Sequence, residues 1–349
     1  MSGFHELKIS QIKQETPSSV AVTFDVPQAL KTSFSFTAGQ YITLHHTINQ
    51  QEVRRAYSLC SAPSSGELTV GIKKVANGTF SVYANDQLMV GDTLQVMPPQ
   101  GTFTYDSNSQ KGHHIAAFAA GSGITPILSI AQAVLNQQTH TKFLLAYGNQ
   151  TKQQAMFYDT IEHLKAQFPD RFFVEYIYSR SQETNAARGR IDKNVVRYYL
   201  SNKYKQTSFK DFYVCGPEAM IDEVSNTLVA SGVSKSQIHF ELFTASTAPV
   251  SQTVKEGTTS ISIIVDQVTE QFTMAQNKTI LEAALEKQLD APYSCQGGIC
   301  SSCIGRVTQG EVQMRQNQIL TDSEVAEGLV LTCQAHPVTP TVVVDYDDI

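Results

Sequence analysis

The sequence contains no tryptophan, no excess of basic residues and no unbroken apolar run of membrane-spanning length. Its formal net charge is −6 at pH 7, which excludes an overall basic surface for nucleic acid. The longest uncharged stretch, residues 115–141, is interrupted by Gly121, Gly123 and Pro126 and then by glutamines. A spanning helix needs about 20 predominantly apolar residues, so we predict a buried strand followed by a helix there.

An export signal and a histidine metal motif are also missing. The N-terminal residues 1–10 include His5, Glu6 and Lys8 and lack an apolar core. We therefore expect a cytoplasmic protein whose six cysteines are thiols or metal ligands rather than disulfides. The nine histidines show no metal-ligand spacing, and we assign them no role.

The length and the charge distribution indicate several modules. A chain of 349 residues, 41% hydrophobic and 17% charged, is long enough for two to three globular domains at about 150 residues each. Residues 259–349 hold 4 Lys and Arg against 12 Asp and Glu, whereas the rest is nearly neutral. This asymmetry predicts an acidic module attached to a neutral body.

Periodicity divides the chain into three predicted domains and a linker. Short alternating runs with turn residues over residues 1–107 predict an antiparallel β-barrel. Strand and helix patterns alternate over 108–243, which predicts an α/β domain with a parallel sheet. Helices are predicted to start near Thr125, Gln154 and Glu218. Residues 244–258 are rich in Ser, Thr, Ala, Pro and Gln and predict a linker, and residues 259–349 predict a third, α+β domain.

The strongest motif is a cysteine-rich loop in the third domain. Cys295, Cys300 and Cys303 follow the spacing C-x4-C-x2-C, and Cys333 comes thirty residues later. This is the plant-type [2Fe–2S] spacing, in which one loop supplies three thiolates and a distant segment the fourth. Gly297 and Gly298 let the backbone approach the cluster and adopt positive φ. The alternatives are a structural zinc site, which usually has two C-x2-C pairs, or unrelated thiols.

A second motif, Arg55-Ala56-Tyr57-Ser58, lies in the predicted barrel. On a strand, Arg55 and Tyr57 share one face, where a guanidinium can bind a pyrophosphate and a phenol ring can cover a flavin. Lys73 follows, and then a predicted turn from Gly78 to Ser81 that offers backbone N–H groups and a hydroxyl to phosphate. Alone, the motif is also compatible with an ordinary half-exposed strand.

A third motif joins a predicted strand to a predicted helix through Gly121-Ser-Gly-Ile-Thr-Pro126. Such a turn forms an anion site from free N–H groups and the helix dipole. Thr125 suits the helix cap and Pro126 the first helical position. Because the third glycine of the usual dinucleotide fingerprint is absent, a tight turn without a ligand is the alternative.

Two more segments support a nucleotide site. Cys215-Gly216-Pro217 follows a predicted strand and opens a helix, which would set a thiol beside a nicotinamide, although a buried structural cysteine is the alternative. Ser179 and Arg180 end another predicted strand where an acidic residue would hold the ribose of NAD, and an arginine there favours NADP. Arg188 and Arg190 are further candidates for the same phosphate.

The order of these motifs resembles the ferredoxin–NADP reductase superfamily, in the branch with a C-terminal [2Fe–2S] domain. The resemblance covers the whole chain. It implies a barrel FAD domain, an α/β NAD(P) domain and a ferredoxin-like (β-grasp) domain. The segments 188–192, 239–243, 331–335 and 342–346 are similar to the reductase subunits of phenylacetyl-CoA epoxidases, which deliver electrons to a di-iron oxygenase.

The resemblance implies a role for each matching residue. The residues expected to bind FAD are Arg55, Tyr57, Ser58, Lys73, Gly78, Thr79, Phe80 and Ser81. Those expected to bind the nicotinamide nucleotide are Gly121, Gly123, Thr125, Pro126, Ser179, Arg180, Arg188, Cys215 and Gly216. The expected catalytic contacts are Tyr57, Ser58, Cys215 and Glu241, although Glu241 could instead be a solvent-facing strand residue. The expected cluster ligands are Cys295, Cys300, Cys303 and Cys333.

The predicted function is electron transfer from NADPH through FAD and a [2Fe–2S] cluster to the di-iron oxygenase of phenylacetyl-CoA epoxidation, without a nucleic acid or membrane partner. A flavin is needed because a hydride carries two electrons and the cluster accepts one. Another oxygenase or a hybrid-cluster protein is an alternative acceptor. The remote alternative is a non-catalytic electron carrier or interaction module.

Overall fold

The structure is a computed structural model that describes residues 3–108, 110–243, 257–317 and 319–349. Three larger sheets and one two-stranded sheet organise these residues. They form two compact units. One holds His5–Val53 and Tyr57–Phe243 with the first two sheets, and the other is formed chiefly by the described residues after 256. Within the described residues, no helix is both long and apolar enough to span a membrane.

The first sheet is the predicted barrel. Its six strands are β1 (His5–Thr16), β2 (Ser19–Asp25), β3 (Tyr41–Ile48), β4 (Gln51–Ser58), β5 (Leu68–Lys73) and β6 (Thr93–Val96). They lie in the order β4-β3-β6-β1-β2-β5. An antiparallel bridge between Leu59 and Val70 joins the two edges and closes the sheet. Alternation places Val20, Val22 and Phe24 in the barrel core.

Helix α1 (Thr79–Asp86) follows β5 and corrects the expectation of a turn from Gly78 to Ser81. Gly78 is the N-cap residue, and Phe80, Ser81 and Ala84 are buried in the barrel. The apolar positions 80 and 84 are four residues apart, a helical spacing that the prediction of a turn overlooked.

The second sheet is parallel, as predicted for an α/β domain. Its strands are β7 (His114–Ala120), β8 (Phe143–Asn149), β9 (Phe172–Tyr178), β10 (Ala186–Arg188), β11 (Phe209–Cys215) and β12 (Ile238–Glu241). Their order is β10-β9-β8-β7-β11-β12, and every neighbouring pair is parallel. The order reverses between β7 and β11, which is where ligands of such sheets bind.

Four helices connect these strands: α2 (Ile124–Gln137), α3 (Tyr158–Gln167), α4 (Lys193–Tyr198) and α5 (Glu218–Ala230). A π-helical turn, Tyr199–Lys203, extends α4. The prediction that a helix starts near Gln154 is wrong, because Lys152–Gln154 is a short 3₁₀ turn and α3 begins four residues later. Similar 3₁₀ turns occur at Gln28–Leu30, Pro63–Ser65, Gly121–Gly123 and Lys235–Gln237.

The C-terminal elements form a mixed sheet. In chain order they are β13 (Thr258–Val265), β14 (Val268–Ala275), α6 (Ile280–Glu286), β15 (Ile304–Gln309), β16 (Val312–Met314), α7 (Asp322–Ala326), β17 (Leu329–Leu331), β18 (Ala335–Pro337) and β19 (Thr341–Asp345). The sheet order is β14-β13-β19-β15-β17, and β16 pairs with β18. Only β13 and β19 are parallel among the described pairs of this region. Thr279 caps α6 through a capping box with Glu282.

The predicted linker, 244–258, lies outside the described residues except for its last two positions, the second of which opens β13. The domain boundaries at 107, 243 and 258 stay predictions.

Candidate flavin, nucleotide and cluster sites

The glycine-rich turn lies at the reversal point of the parallel sheet. The chain leaves β7, passes Gly121–Gly123 and enters α2 beside the end of β11. A Cβ atom on Gly123 would lie 2.1 Å from the carbonyl oxygen of Cys215, so a side chain at this position would push the two segments apart. Gly121 adopts φ +57°. The free N–H groups at the start of α2 make this turn a suitable site for a phosphate.

The structure corrects the roles of Thr125 and Pro126. The helix begins at Ile124 with Gly123 as its N-cap residue, so Thr125 is inside the first turn. Thr125 Oγ1 donates to the carbonyl of Ser122 at 3.0 Å. Both Thr125 and Pro126 are buried. Their side chains pack inside the protein, beneath the turn. The half-exposed residues of the turn are Gly121 and Ser122.

A lysine from the barrel approaches the same turn. Lys73 Nζ lies 3.5 Å from the position that a Cβ of Gly121 would occupy. No acidic partner of Lys73 is found among the described residues, and its burial lowers the pKa of its ammonium group below the usual value. A half-buried cation without a counter-ion, next to a helix N-terminus, fits an anionic ligand. The structure therefore joins Lys73, predicted for FAD, to the turn predicted for the nicotinamide nucleotide.

Three predicted catalytic residues meet at the reversal point. Ser58 Oγ donates to Glu241 Oε2 at 3.2 Å, although the two residues are 183 positions apart. Cys215 at the end of β11 pairs in register with Glu241 on β12. Glu241 is only 8% exposed, which excludes the alternative of a solvent-facing residue. The fourth residue, Tyr57, is half-buried one position before Ser58, with its ring 5.6 Å from that of Phe80.

Burial controls the protonation of this group. Desolvation raises the pKa of Glu241 to about 8, and the hydrogen bond from Ser58 opposes that rise. Desolvation and the neighbouring Glu241 carboxylate also raise the pKa of the Cys215 thiol well above its usual value. At neutral pH, Cys215 is therefore a neutral thiol and Glu241 carries a proton in most molecules. The site offers an exchangeable proton and no strong nucleophile.

The remaining predicted FAD residues lie in two places. Thr79 is exposed at the start of α1, and the Phe80 ring is fully buried in the barrel core, so only the backbone of Phe80 is available to a ligand. Ser81 Oγ accepts from the backbone N–H of Val75 at 3.1 Å. On β4, Arg55 is exposed, and its guanidinium donates to the carbonyl of Arg54 at 2.7 Å.

The predicted 2′-phosphate residues are close together at the carboxyl edge of the sheet. Arg188 on β10 pairs with Tyr178 at the end of β9, next to Ser179 and Arg180. Both arginine side chains are exposed. Main-chain bonds from Ser179 to Asn149 and from Arg180 to Gln150 fix the end of β9. The structure therefore places two exposed arginine residues at one end of the sheet.

Sequence reasoning missed other polar groups at this edge. Within the described residues, the buried hydroxyls of Tyr178 and Ser181 have no hydrogen-bond partner. Buried polar groups are normally bonded, so these orphaned atoms fit a polar ligand. Their position at strand ends of a parallel sheet was the signal that could have found them.

The four predicted cluster cysteines come together in the C-terminal region. The four thiols lie close enough to interact with one another, Cys295 with Cys300 and Cys333, and Cys303 with Cys333. The N–H of Gly297 donates to Cys295 Sγ at 3.3 Å. Positive φ occurs at Gln296 and Gly298, which corrects the expectation for Gly297. The loop therefore brings its three thiols and the backbone N–H of Gly297 close to the thiol of Cys333.

This donor set fits a two-iron cluster. Four cysteine thiols, three from one loop and one from a distant segment, are the ligand set of a plant-type cluster. The other two cysteines are elsewhere: Cys60 Sγ donates to the carbonyl of Thr69 inside the barrel, and Cys215 is in the parallel sheet. All six cysteines are free.

Comparisons with known proteins agree with this architecture. Three family models match: the oxidoreductase FAD-binding domain over residues 6–105, the oxidoreductase NAD-binding domain over 118–226, and the 2Fe-2S iron-sulfur cluster binding domain over 263–338. The fold resembles phthalate dioxygenase reductase, with a TM-score of 0.61, 22% identity and 98% coverage of both chains. It also resembles an intact type IV self-sufficient cytochrome P450 monooxygenase, with a TM-score of 0.71 and 21% identity over 98% of this chain and 41% of that one. The chain spans less than half of that second protein.

Fold and site together define an FAD- and NAD-dependent reductase with a C-terminal [2Fe–2S] domain, so the predicted fold class and the prediction of an enzyme are confirmed. The chain belongs to the ferredoxin–NADP reductase family, in the branch that includes the reductase components of oxygenases.

Two full-length relatives place it more closely within that branch. It is 36% identical to a 1,2-phenylacetyl-CoA epoxidase component of Escherichia coli K12 over 99% of both chains. It is 30% identical to the ferredoxin reductase component of 3-ketosteroid-9-alpha-monooxygenase of Mycolicibacterium smegmatis over 98% of this chain and 97% of that one.

Proposed function

We propose that this chain is the reductase of a phenylacetyl-CoA epoxidase and passes electrons from NADPH through FAD and its cluster to a di-iron oxygenase. The observation that carries the reductase mechanism is the contact of Ser58 with Glu241 at the sheet reversal, on a chain that also gathers four thiols. The particular oxygenase is supported by the 36% identity to an epoxidase component along the full chain.

The cofactors would supply the electron chemistry, since a bound flavin accepts a hydride and releases electrons singly to a cluster. Tyr57 and Ser58 would contact the flavin, and Cys295, Cys300, Cys303 and Cys333 would hold the cluster. Gly121 and the start of α2 would hold the nucleotide, with Lys73 adding positive charge.

Glu241 would keep a proton available beside the flavin. Its raised pKa, about 8, leaves the carboxyl group protonated at neutral pH, and Ser58 Oγ lies at hydrogen-bond distance from it. A hydroxyl and a carboxyl at hydrogen-bond distance can pass a proton between them. The neutral Cys215 thiol beside them would pack against the nicotinamide without attacking it.

The preference for NADPH rests on the carboxyl end of β9. Ser179 stands where an acidic residue would favour NAD, and the exposed guanidinium groups of Arg180 and Arg188 are at the same end of the sheet. A 2′-phosphate bound at this end of the sheet would pair with these charges.

The acidic C-terminal domain would dock on a basic surface of the oxygenase. Most of its acidic side chains are exposed, and two of its four cations are paired internally, Lys278 with Glu286 and Arg306 with Asp348. Complementary charge chiefly speeds encounter, so raising the salt concentration should slow electron delivery to the oxygenase without slowing reduction of the flavin by NADPH. Equal rates of delivery at low and high salt would exclude docking by charge.

The test of the whole proposal uses the purified holoprotein, a phenylacetyl-CoA di-iron oxygenase and limiting NADPH. We expect phenylacetyl-CoA to stimulate NADPH consumption strongly and to be oxygenated. If NADPH reduces the flavin but the thioester changes nothing, the oxygenase assignment is wrong.

A second acceptor deserves the same assay. The 30% identity to a 3-ketosteroid monooxygenase reductase favours another oxygenase as the alternative partner. Parallel assays with both oxygenases would discriminate the two, because only the true partner should couple NADPH loss to substrate.

A further inference from the structure

The turn before α3 contains a strained residue. Phe157 adopts φ +57° and ψ 24° as the N-cap residue of this helix. The left-handed region is unfavourable for a bulky residue and persists only where the surroundings enforce it. Phe157 is almost fully buried, so the enforcing contacts are inside the protein.

Two barrel strands hold Phe157. The carboxylate of Glu15 on β1 accepts the backbone N–H of Phe157 through Oε2 at 3.2 Å. The Glu15 side chain is only 5% exposed, and Lys13 Nζ lies 2.9 Å from its other oxygen. On β5, a Cβ at Gly71 would lie 2.9 Å from the Phe157 ring and 2.7 Å from Thr125 Cγ2. The missing side chain at Gly71 therefore makes room for both residues.

A buried tyrosine connects this turn to the glycine-rich turn. Tyr147 on β8 has no exposed surface. Its hydroxyl is 3.1 Å from the carbonyl oxygen of Gly121 and 3.3 Å from that of Met156, which immediately precedes Phe157. Burial raises the pKa of Tyr147 above its usual value, so the hydroxyl remains a donor at every pH at which the protein works.

We infer that Glu15 and Tyr147 are positioning residues that hold the Gly121 turn in its nucleotide-binding geometry. Glu15 fixes the 156–157 turn against the barrel. The single O–H hydrogen of Tyr147 lies between the carbonyls of Met156 and Gly121, and the nearer acceptor is Gly121 at 3.1 Å. The inference rests on the proposed role of Gly121 in nucleotide binding.

Because the peptide bond is planar, the direction of the Gly121 carbonyl also sets the direction of the Ser122 N–H. The C=O of Gly121 and the N–H of Ser122 lie in one plane and point in opposite directions. A Gly121 carbonyl held toward Tyr147 therefore turns the Ser122 N–H away from the buried tyrosine, on the side of the half-exposed turn. The N–H of Ile124 bonds to the same carbonyl, so Tyr147 supplies its second donor. Without that donor, the peptide plane is free to rotate.

The first test compares the wild-type holoprotein with Tyr147→Phe, which removes one hydroxyl. We expect the Kd for NADP⁺, measured by titration calorimetry, and the KM for NADPH to rise about fivefold, the usual loss for one net hydrogen bond. The kcat should change less than twofold, and the FAD and iron contents should remain normal. An unchanged Kd, or a fall in kcat alone, would overturn the inference.

Tyr213→Phe is the matched control. Tyr213 is equally buried in the same sheet, but its hydroxyl donates to the carbonyl of Thr104 at 3.0 Å. This variant should leave the Kd for NADP⁺ unchanged. A fivefold weakening here as well would show that any lost buried hydroxyl has this effect, which also contradicts the inference.

The second test concerns Glu15. Glu15→Gln retains an oxygen acceptor for the Phe157 N–H and should bind NADP⁺ like the wild type, whereas Glu15→Ala should bind it several-fold more weakly. The double variant with Glu15→Ala and Tyr147→Phe should bind NADP⁺ as tightly as the single variant that binds it more weakly. The reason is that the effects of substitutions within one network are not additive. Additive losses would contradict a shared path.

Failure of the proposed function gives a different pattern. If the wild-type holoprotein binds neither NADP⁺ nor NAD⁺, then the nucleotide assignment of the Gly121 turn is wrong and the inference falls with it. If the wild type binds nucleotide and all variants bind it equally, only the inference is overturned.

Discussion

The cysteine loop and the reversal point of the parallel sheet are assembled in opposite ways. Three of the four thiols predicted to bind the cluster occur within nine residues of one loop, and Cys333 completes the set. At the sheet reversal, Ser58 meets Glu241 across 183 positions, and Cys215 arrives from a third segment. The comparison teaches that a local site is visible as a spacing, whereas an assembled site depends on strand order.

The largest expected effect tests the local site. Cys303→Ser should abolish the iron content and the visible absorption of the cluster, because it removes one of four ligands from a fully buried position. The flavin should remain bound and reducible by NADPH. Cys60→Ser is the control, since Cys60 is an equally buried thiol in the barrel, and iron retained by Cys303→Ser would disprove the ligand assignment.

The next effect tests the close approach at the assembled site. Gly123→Ala would place a Cβ 2.1 Å from the main-chain oxygen of Cys215, and neither backbone can yield without moving α2. We expect a loss of about 1 to 3 kcal/mol in stability, typical of overpacking, together with weaker NADP⁺ binding. Urea unfolding and nucleotide titration would measure the two.

Gly148→Ala is the matched control in the same sheet. Its Cβ would lie 3.3 Å from the flexible end of the Ile191 side chain, so we expect a much smaller loss. If Gly123→Ala and Gly148→Ala were equally stable, the close approach of Gly123 to the Cys215 carbonyl would not affect the free energy of unfolding.

A third prediction separates the two nucleotides. Arg180→Ala should raise the KM for NADPH about tenfold more than the KM for NADH, which corresponds to about 1.4 kcal/mol for a lost charged contact with the 2′-phosphate. Arg197→Ala, on α4 and also exposed, serves as the control. Equal effects of Arg180→Ala on both nucleotides would remove the reason for preferring NADPH.

The last effect, a change of stability with pH, follows from burial of Glu241. Its pKa is about 8 in the folded protein against 4.5 for the free side chain. Between these values the folded state keeps a proton that the unfolded state releases, so stability falls as the pH rises from about 4.5 to 8. The slope is at most about 1.4 kcal/mol per pH unit.

Glu241→Gln should remove this pH dependence, as urea unfolding over the same pH range would show. Glu67→Gln, at an exposed position of the same unit, should leave the slope unchanged. A wild-type slope that persists in Glu241→Gln would assign the titration to another group.

Local patterns were sufficient for much of the fold. The alternation of Val20, Val22 and Phe24 indicated a barrel strand, and the strand and helix alternation after residue 108 indicated the parallel sheet. Helix starts were less accurate. Thr125 and Pro126 resemble a cap and a first-turn residue, but the helix begins at Ile124, two residues earlier than a Thr125 cap allows, where Gly123 packs closely on Cys215.

The candidate site was predictable to different degrees. Ser58 and Cys215 were predicted from local motifs and Glu241 from a resemblance, and the structure shows why they meet, because β11 and β12 are adjacent and Ser58 reaches the end of β12. Glu15 and Tyr147 had no sequence signal, since a carboxylate on a barrel strand and a tyrosine in an apolar strand are ordinary there. Only their contacts with the turns at residues 157 and 121 distinguish them.

The sequence alone determined the strand and helix types, the cysteine spacing and the glycine turn, because these depend on side chains close together along the chain. The tertiary structure decided which of these segments face each other, the buried state and raised pKa of Glu241, and the bonds that hold Phe157 in a left-handed conformation. Those properties depend on strand order and burial, which arise only when distant segments pack and exclude water.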